Sequence, residues 1–484
     1  MSFKALDWAI FFIVPIAAWI IGNIWRQRGT WRGYFLAQGK LNTRGVAAAY
    51  FGANLTFTTI FLVLSEEGYR RGYWAFSIPV FWVLGTGLFV WCYGRLRPFT
   101  VQGLTLHQVL GETFKSPSLQ RWASLWTIVA FVGTVGLEFY GGLRLLQWTH
   151  LPLPADIVAA LLLAFTVSAL TATGGFRGVA TADQLLDVVT LIGIVILAWY
   201  AIQIFWTAPG NAPSAPLSNV PLFDNILFTV AMGILFLPFQ FCTLDSWQRL
   251  GAWNKRNDKS PAGWLIGAGT LLALAYCVPI VIGIATRRLA SADGVHPFKT
   301  FLDSIALRSG LAGIVFAGLM AAVFSTADEL LNCCGLSLLF DVYQIPRTDS
   351  NRTSSQEATL VASGQFYTAL FSFLAAAIAV VALRFDRKIS DIAVAVFSAQ
   401  VVFIFPLSSA LFTPLISPRL ATVARRSMLG GFCAAMLCLA AGWALKDQST
   451  IDGAPVVAFI VAGLWFVPVW LVAYSKQRHE KKGE

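Results

Sequence analysis

Apolar runs of about 20 residues recur at least a dozen times along the chain, each long enough to cross a hydrocarbon core of about 30 Å at 1.5 Å per residue. Hydrocarbon offers backbone polar groups no water, so such runs must satisfy their own hydrogen bonds and fold as helices. Composition agrees, with 57% hydrophobic and 12% charged residues against roughly 25% charged in soluble domains. The chain therefore reads as an all-α polytopic membrane protein. Thirteen spans are expected, at 6–25, 45–66, 73–94, 122–148, 153–172, 180–206, 226–245, 261–286, 311–340, 359–382, 391–416, 427–445 and 454–475.

Thirteen spans put the two termini on opposite sides. With the N-terminus outside, 23 of the 35 Lys and Arg residues fall on the cytoplasmic side, which favours N-out, C-in in a plasma membrane. The net charge of +11 is then a topology signal and not a nucleic-acid footprint. The first span is expected to stay as an anchor, because no small-x-small cleavage site follows it and basic residues from Arg26 to Arg44 do. All seven cysteines lie in apolar segments, so a disulfide framework or zinc set is not expected. Of the two longer loops, 206–225 is a Pro-, Asn- and Ser-rich connector. The other, 285–310, carries HPFKTFLDSIALRSG, with apolar residues at helical spacing that suit a short outer helix capping a cavity or a surface linker.

Four local features carry the chemistry. Ala322, Ser325 and Thr326 stand at i, i+3 and i+4 and share one helix face, so two hydroxyls point at one spot. They suit a small hard cation, or they bond back to the helix and pack against a neighbour. The span AAAYFGANLTFTTIFLVLSEEGYRRG holds Asn54, Thr56, Thr58 and Thr59 at its centre. It is Thr-rich and β-branched, a modest helix former that suits a mid-membrane break exposing carbonyls to an ion. Pro238 removes a backbone donor in a third span, beside Phe236, Phe239, Gln240 and Phe241. That is either an aromatic-lined solute pocket or a plain kink. Fourth, Asp183 precedes Asp187 at the expected start of the sixth span, where it favours a helix N-terminus or serves an ion. Glu138 is deeper, placed to pair with Arg144 or line a water-filled path. Glu66, Glu67, Arg70 and Arg71 read as a solvated charge cluster at a helix end.

The run from Ala321 to Tyr343, Ala-Ala-x-x-Ser-Thr-Ala-Asp then Leu-Leu-Asn then Asp341-x-Tyr343, resembles the sodium-site helix of the sodium/solute symporter family. The run Gly174 to Asp183, the pair Gln248-Arg249 followed by WNKRNDK, and Arg95-x-Arg97-Pro98 with Thr105-x-x-Gln108 are similar to further family signatures, in the same order. The resemblance implies a LeuT-like core of two inverted five-helix repeats, with one helix before and two after. The division is 1–44 leading helix and loop, 45–206 first repeat, 226–416 second repeat and 417–484 two peripheral helices with a basic tail. The first helix of each repeat is discontinuous in that fold, which maps onto the Asn54 and Pro238 spans. It implies a sodium site of Gly52, Leu55, Ala322, Ser325 and Thr326, with Asp183 as a coupling or second ion position. Thr56, Thr59, Glu138, Phe236, Phe239 and Gln240 are then expected around the solute.

One departure stands out: Leu62 and Val63 replace expected glycines, and the match needs one extra residue before Gly68. The expected function is sodium-coupled uptake of a small polar organic solute, with a lipid bilayer, sodium and the solute as partners, and neither cofactor nor nucleic acid. Proton-coupled or facilitative transport, or a transporter-like sensor acting through a partner protein, are the alternatives. An intramembrane enzyme is not expected, since His107, His150, His296 and His479 all fall in loops or at span ends.

Overall fold

The computed structural model describes residues 3–27, 29–149, 155–207, 220–253, 260–289, 295–305, 307–347, 352–384, 389–413 and 418–483. His150, most of the 206–225 connector and residues 254–259 of the WNKRNDK run lie outside the described residues. Among those described, ten helices are long and apolar enough to cross a bilayer, with the shorter apolar helix Leu222–Phe236 beside them. The runs are grouped differently from the thirteen spans expected. Those at 153–172 and 180–206 follow each other within Ala155–Thr207 as two helices joined at a kink at Gly175. Gly175 sits at φ 61° and ψ 178°, a conformation open to glycine alone. The span expected at 73–94 follows the previous one through a 3-10 turn at Gly72–Phe76, which hydropathy alone reads as a boundary.

Two expected spans are broken. The helix Thr43–Asn54 stops at Leu55, with ψ of 71°, and Thr56 is extended at φ −84° and ψ 147°. The chain resumes as a π-helical turn, Phe57–Leu62, and continues as Val63–Arg71. A π turn holds one residue more than an α turn, so the extra residue before Gly68 is absorbed there. Leu222–Phe236 ends just before Pro238, a single turn follows at Phe239–Cys242, and Thr243 is extended at φ −105° and ψ 130° before Leu244–Ala252 begins. The missing proline N–H explains the second interruption.

Pro117–Trp148, Ala155–Thr207, Leu311–Ser337 and Ser354–Ala382 contact one another, while Ala262–Thr286 packs on Thr43–Asn54, Val63–Arg71 and Ser77–Trp91. Ala155–Thr207 runs through the packing, touching both Thr43–Asn54 and Ala262–Thr286 as well as the other scaffold helices. Leu311–Ser337 is central, with 89% of its most apolar window buried, against 17% for Ala454–Arg478 at the periphery. The first helix, Ala5–Ile24, is attached through Asp7. Its carboxylate accepts from Gly310 N at 2.7 Å and Gly313 N at 3.0 Å, capping the start of the central helix. The loop helix Pro297–Ser304 also forms, its Phe298 ring edge-on to Phe57 and Phe61.

Candidate functional site

The first break is held open by side chains from elsewhere. In an unbroken helix the amides of Phe57 and Thr58 would bond to Ala53 and Asn54; instead both donate to Glu138 Oε2, at 3.0 and 3.1 Å. The Asn54 carbonyl, freed by the same break, accepts from Tyr276 Oη at 2.7 Å. Glu138 is thus a backbone cap, and it lies outside the cavity it was expected to line. Nor does it pair with Arg144, which donates to Tyr140 Oη and Gln147 Oε1. The second break is capped by Trp247, whose Nε1 donates to Phe241 O at 2.9 Å. Gln240 is also turned away from the cavity, accepting from Ser246 Oγ at 2.7 Å. Sequence shows that buried polar groups need partners; it does not show whether the partner is the protein's backbone or a solute.

The expected ion residues come together. A Cβ on Gly52 would run into the Ser325 hydroxyl and the Asp187 carboxylate, so the broken helix meets the central helix there at bare-backbone distance. Ser325 Oγ and Thr326 Oγ1 are buried and have no hydrogen-bond partner. Leu55, at the break, and Ala322, one turn before Thr326, are likewise buried. Asp183 does not occupy a helix start: it lies inside Ala155–Thr207, 0% exposed, beside Ser325, with neither carboxylate oxygen hydrogen-bonded. Asp187 and Asp328 complete an acidic surrounding that sequence reasoning missed. The signal was present in the four-residue spacing of Asp183 and Asp187, which puts them on one helix face.

Next to this spot is a cavity of about 90 Å³. Thr56 and Thr59, mutually hydrogen-bonded, line it with Phe236, Phe239 and Thr326. One wall is therefore shared between the hydroxyl pair and the cavity. Glu67 and Asp452 also line the cavity, and of the quartet expected to be solvated Glu67 and Arg71 are buried, while Glu66 and Arg70 are half-buried. Arg71 is 0% exposed, bonded to Glu67 at 2.6 Å and to Asp452, with its guanidinium 4.2 Å over the Phe228 ring.

The remaining signature residues are also paired. Arg249 bridges Glu329 at 2.5 Å and Asp245 at 2.7 Å, and Gln248 donates to Asn332 and to Phe35 O. Thr105, in a capping box with Gln108, donates to both Asp341 oxygens at 2.9 Å, and His107 meets the same carboxylate. Motifs far apart in sequence thus interlock in pairs.

Two interrupted helices crossing a packed scaffold, with buried oxygens at the first interruption, define a LeuT-type membrane transporter fold. A sodium-coupled sialic acid symporter, in a substrate-bound outward-open state, superposes with a TM-score of 0.69 at 16% identity, covering 96% of this chain and 97% of that one. MhsT in complex with L-phenylalanine superposes with a TM-score of 0.53 at 15% identity, covering 87% and 97%. Residues 34–210 match the model of the sodium:solute symporter family. The sodium/pantothenate symporter of Escherichia coli (strain K12) is 25% identical over 376 residues, 71% of this chain and 74% of that protein.

Proposed function

We propose that this protein is a sodium-coupled secondary active symporter that imports a small polar organic solute by alternating access. It sits in the plasma membrane with its N-terminus outside and its C-terminus in the cytoplasm. The observation that carries the reading is the Ser325 and Thr326 hydroxyl pair, buried without hydrogen-bond partners against a helix break. Two such oxygens left unpaired are costly, and a sodium ion held with the carbonyls of Gly52, Leu55 and Ala322 offsets that cost. Asp183, beside Ser325, serves as the coupling or second ion position.

The solute occupies the cavity bordered by Thr56, Thr59, Phe236 and Phe239. Thr326 borders both places, so ion and solute raise each other's affinity by the same factor. The sodium-coupled names of the pantothenate and sialic acid proteins support this reading. Rocking of the two repeats past each other then carries both ligands inward.

The test is a sodium titration of melting temperature, read against potassium. The double substitution Ser325→Ala with Thr326→Ala is expected to raise the sodium concentration needed by about tenfold or more, from the loss of two ligands. Unchanged sodium affinity refutes the site. A second reading, proton coupling, draws on the two unbonded oxygens of Asp183. It requires that a pH gradient alone drive uptake and that Asp183→Asn abolish it.

A further inference from the structure

The cavity wall carries four carboxylates, Glu67, Asp245, Asp391 and Asp452, and no Lys, Arg or His among the described residues. Three of the four are ion-paired: Glu67 and Asp452 with Arg71, and Asp245 with Arg249. Asp391 is different. It is 4% exposed, and among the described residues its oxygens accept from the neutral donors Trp443 Nε1 at 3.1 Å and Gln448 Nε2 at 3.0 Å. Arg70 lies within electrostatic reach of Asp391 but is itself paired with Glu67. Among the described residues, then, this buried carboxylate has no ion-pair partner of its own, and a cation would offset the cost of its burial.

A second observation points the same way. Gln400 Oε1 and Asp245 Oδ1 belong to the same wall, both on residues 4% exposed, and neither has a hydrogen-bond partner. Neither can donate, so the partners these two lack must be donors, while Trp82 Nε1 on the same wall lacks an acceptor that a neutral solute oxygen or ring face could supply. A solute carboxylate would set more lone pairs against the two acceptors. Around these acceptors stand the rings of Trp82, Phe236, Phe239 and Phe397, whose faces attract a cation and whose area suits an apolar body.

The nearby guanidinium groups do not alter this balance. Arg70 and Arg144 line a separate gap with Glu66 and Tyr69. On the Phe57–Arg71 stretch, Ile60, Val63, Leu64 and Glu67 face the cavity, whereas Leu62, Glu66, Tyr69 and Arg70 face the gap.

Building on the symport reading, we propose that the solute is a small organic amine, protonated and without a carboxylate. Its ammonium group sits at Asp391 and its apolar body lies against the ring wall. It is thus unlike the solutes named for the pantothenate and sialic acid symporters, both of which are acids.

The experiment measures melting temperature of the purified protein in sodium or potassium buffer with amines from methylamine to phenethylamine, and with 3-phenylpropionate and 2-phenylethanol as matched probes. At least one amine is expected to raise the melting point in sodium and less so in potassium. Asp391→Asn should weaken that amine by about tenfold or more, as when one partner of a buried pair is removed, while the shift caused by sodium alone is retained. Gln400→Leu should weaken it severalfold, which keeps the proposal testable if the Asp391 variant does not fold. The proposal is overturned if no amine shifts the protein, if the carboxylate or the alcohol shifts it more than any amine, or if Asp391→Asn binds the amine as tightly as the parent. A sodium-dependent shift with the carboxylate would leave symport standing and remove the amine; loss of every sodium effect would remove symport itself.

Discussion

Gly52 faces Ser325 and Asp187 with no room for a methyl group between them. Gly52→Ala is therefore expected to push the broken helix off the central one and remove most of the sodium-induced rise in melting temperature, as a titration would read. Glu138 makes a complementary case. Replacing it with Ala leaves the Phe57 and Thr58 amides without an acceptor, a loss of about 1–3 kcal/mol for each buried group left unpaired. Glu138→Gln, which keeps one acceptor oxygen, should lose less, and denaturant unfolding in detergent separates the two. At this scale Ser325 and Thr326 were legible because helical spacing puts them with Ala322 on one face, whereas Gly52 was legible only through the family resemblance. Glu138 and Gln240 were not, since their partners, a backbone break 80 residues away and Ser246, are set by packing.

The Thr56 interruption occurs without Gly or Pro, in a stretch whose β-branched residues only weaken the helix. Its cause is the cap supplied by another helix, which explains why its place was only partly legible from sequence. Pro238 is the opposite case, a break written into one residue. The outer helix Pro297–Ser304 adds a pH signature. Burial, with Arg144 nearby, pushes the His296 imidazole from its ordinary 6.5 down to about 4. Between these values the unfolded chain binds more protons than the folded one, so stability rises with pH. It is fully present above pH 6.5 and falls as the pH drops towards 4. His296→Asn, which retains a helix-capping acceptor, should flatten that part of the melting-temperature profile.

Across the whole molecule, two locks of the same chemistry hold the site, each a buried arginine between two carboxylates: Arg71 with Glu67 and Asp452, and Arg249 with Asp245 and Glu329. Arg249→Met would leave two buried carboxylates facing each other, and a loss of about 3–5 kcal/mol is expected. Unfolding measurements at pH 7 would check it. The family signatures made the order of helices legible. The interlocking of Gln248 with Asn332 and of Thr105 with Asp341 was not, because pairs that distant leave no local pattern. Finally, Asp7 clamps the first helix onto the start of the central one, while Gly22 abuts Gly178 on Ala155–Thr207. That extra helix is fastened at both ends to the same group of helices. Under the alternating-access reading proposed above, it is expected to move with that group and not against it.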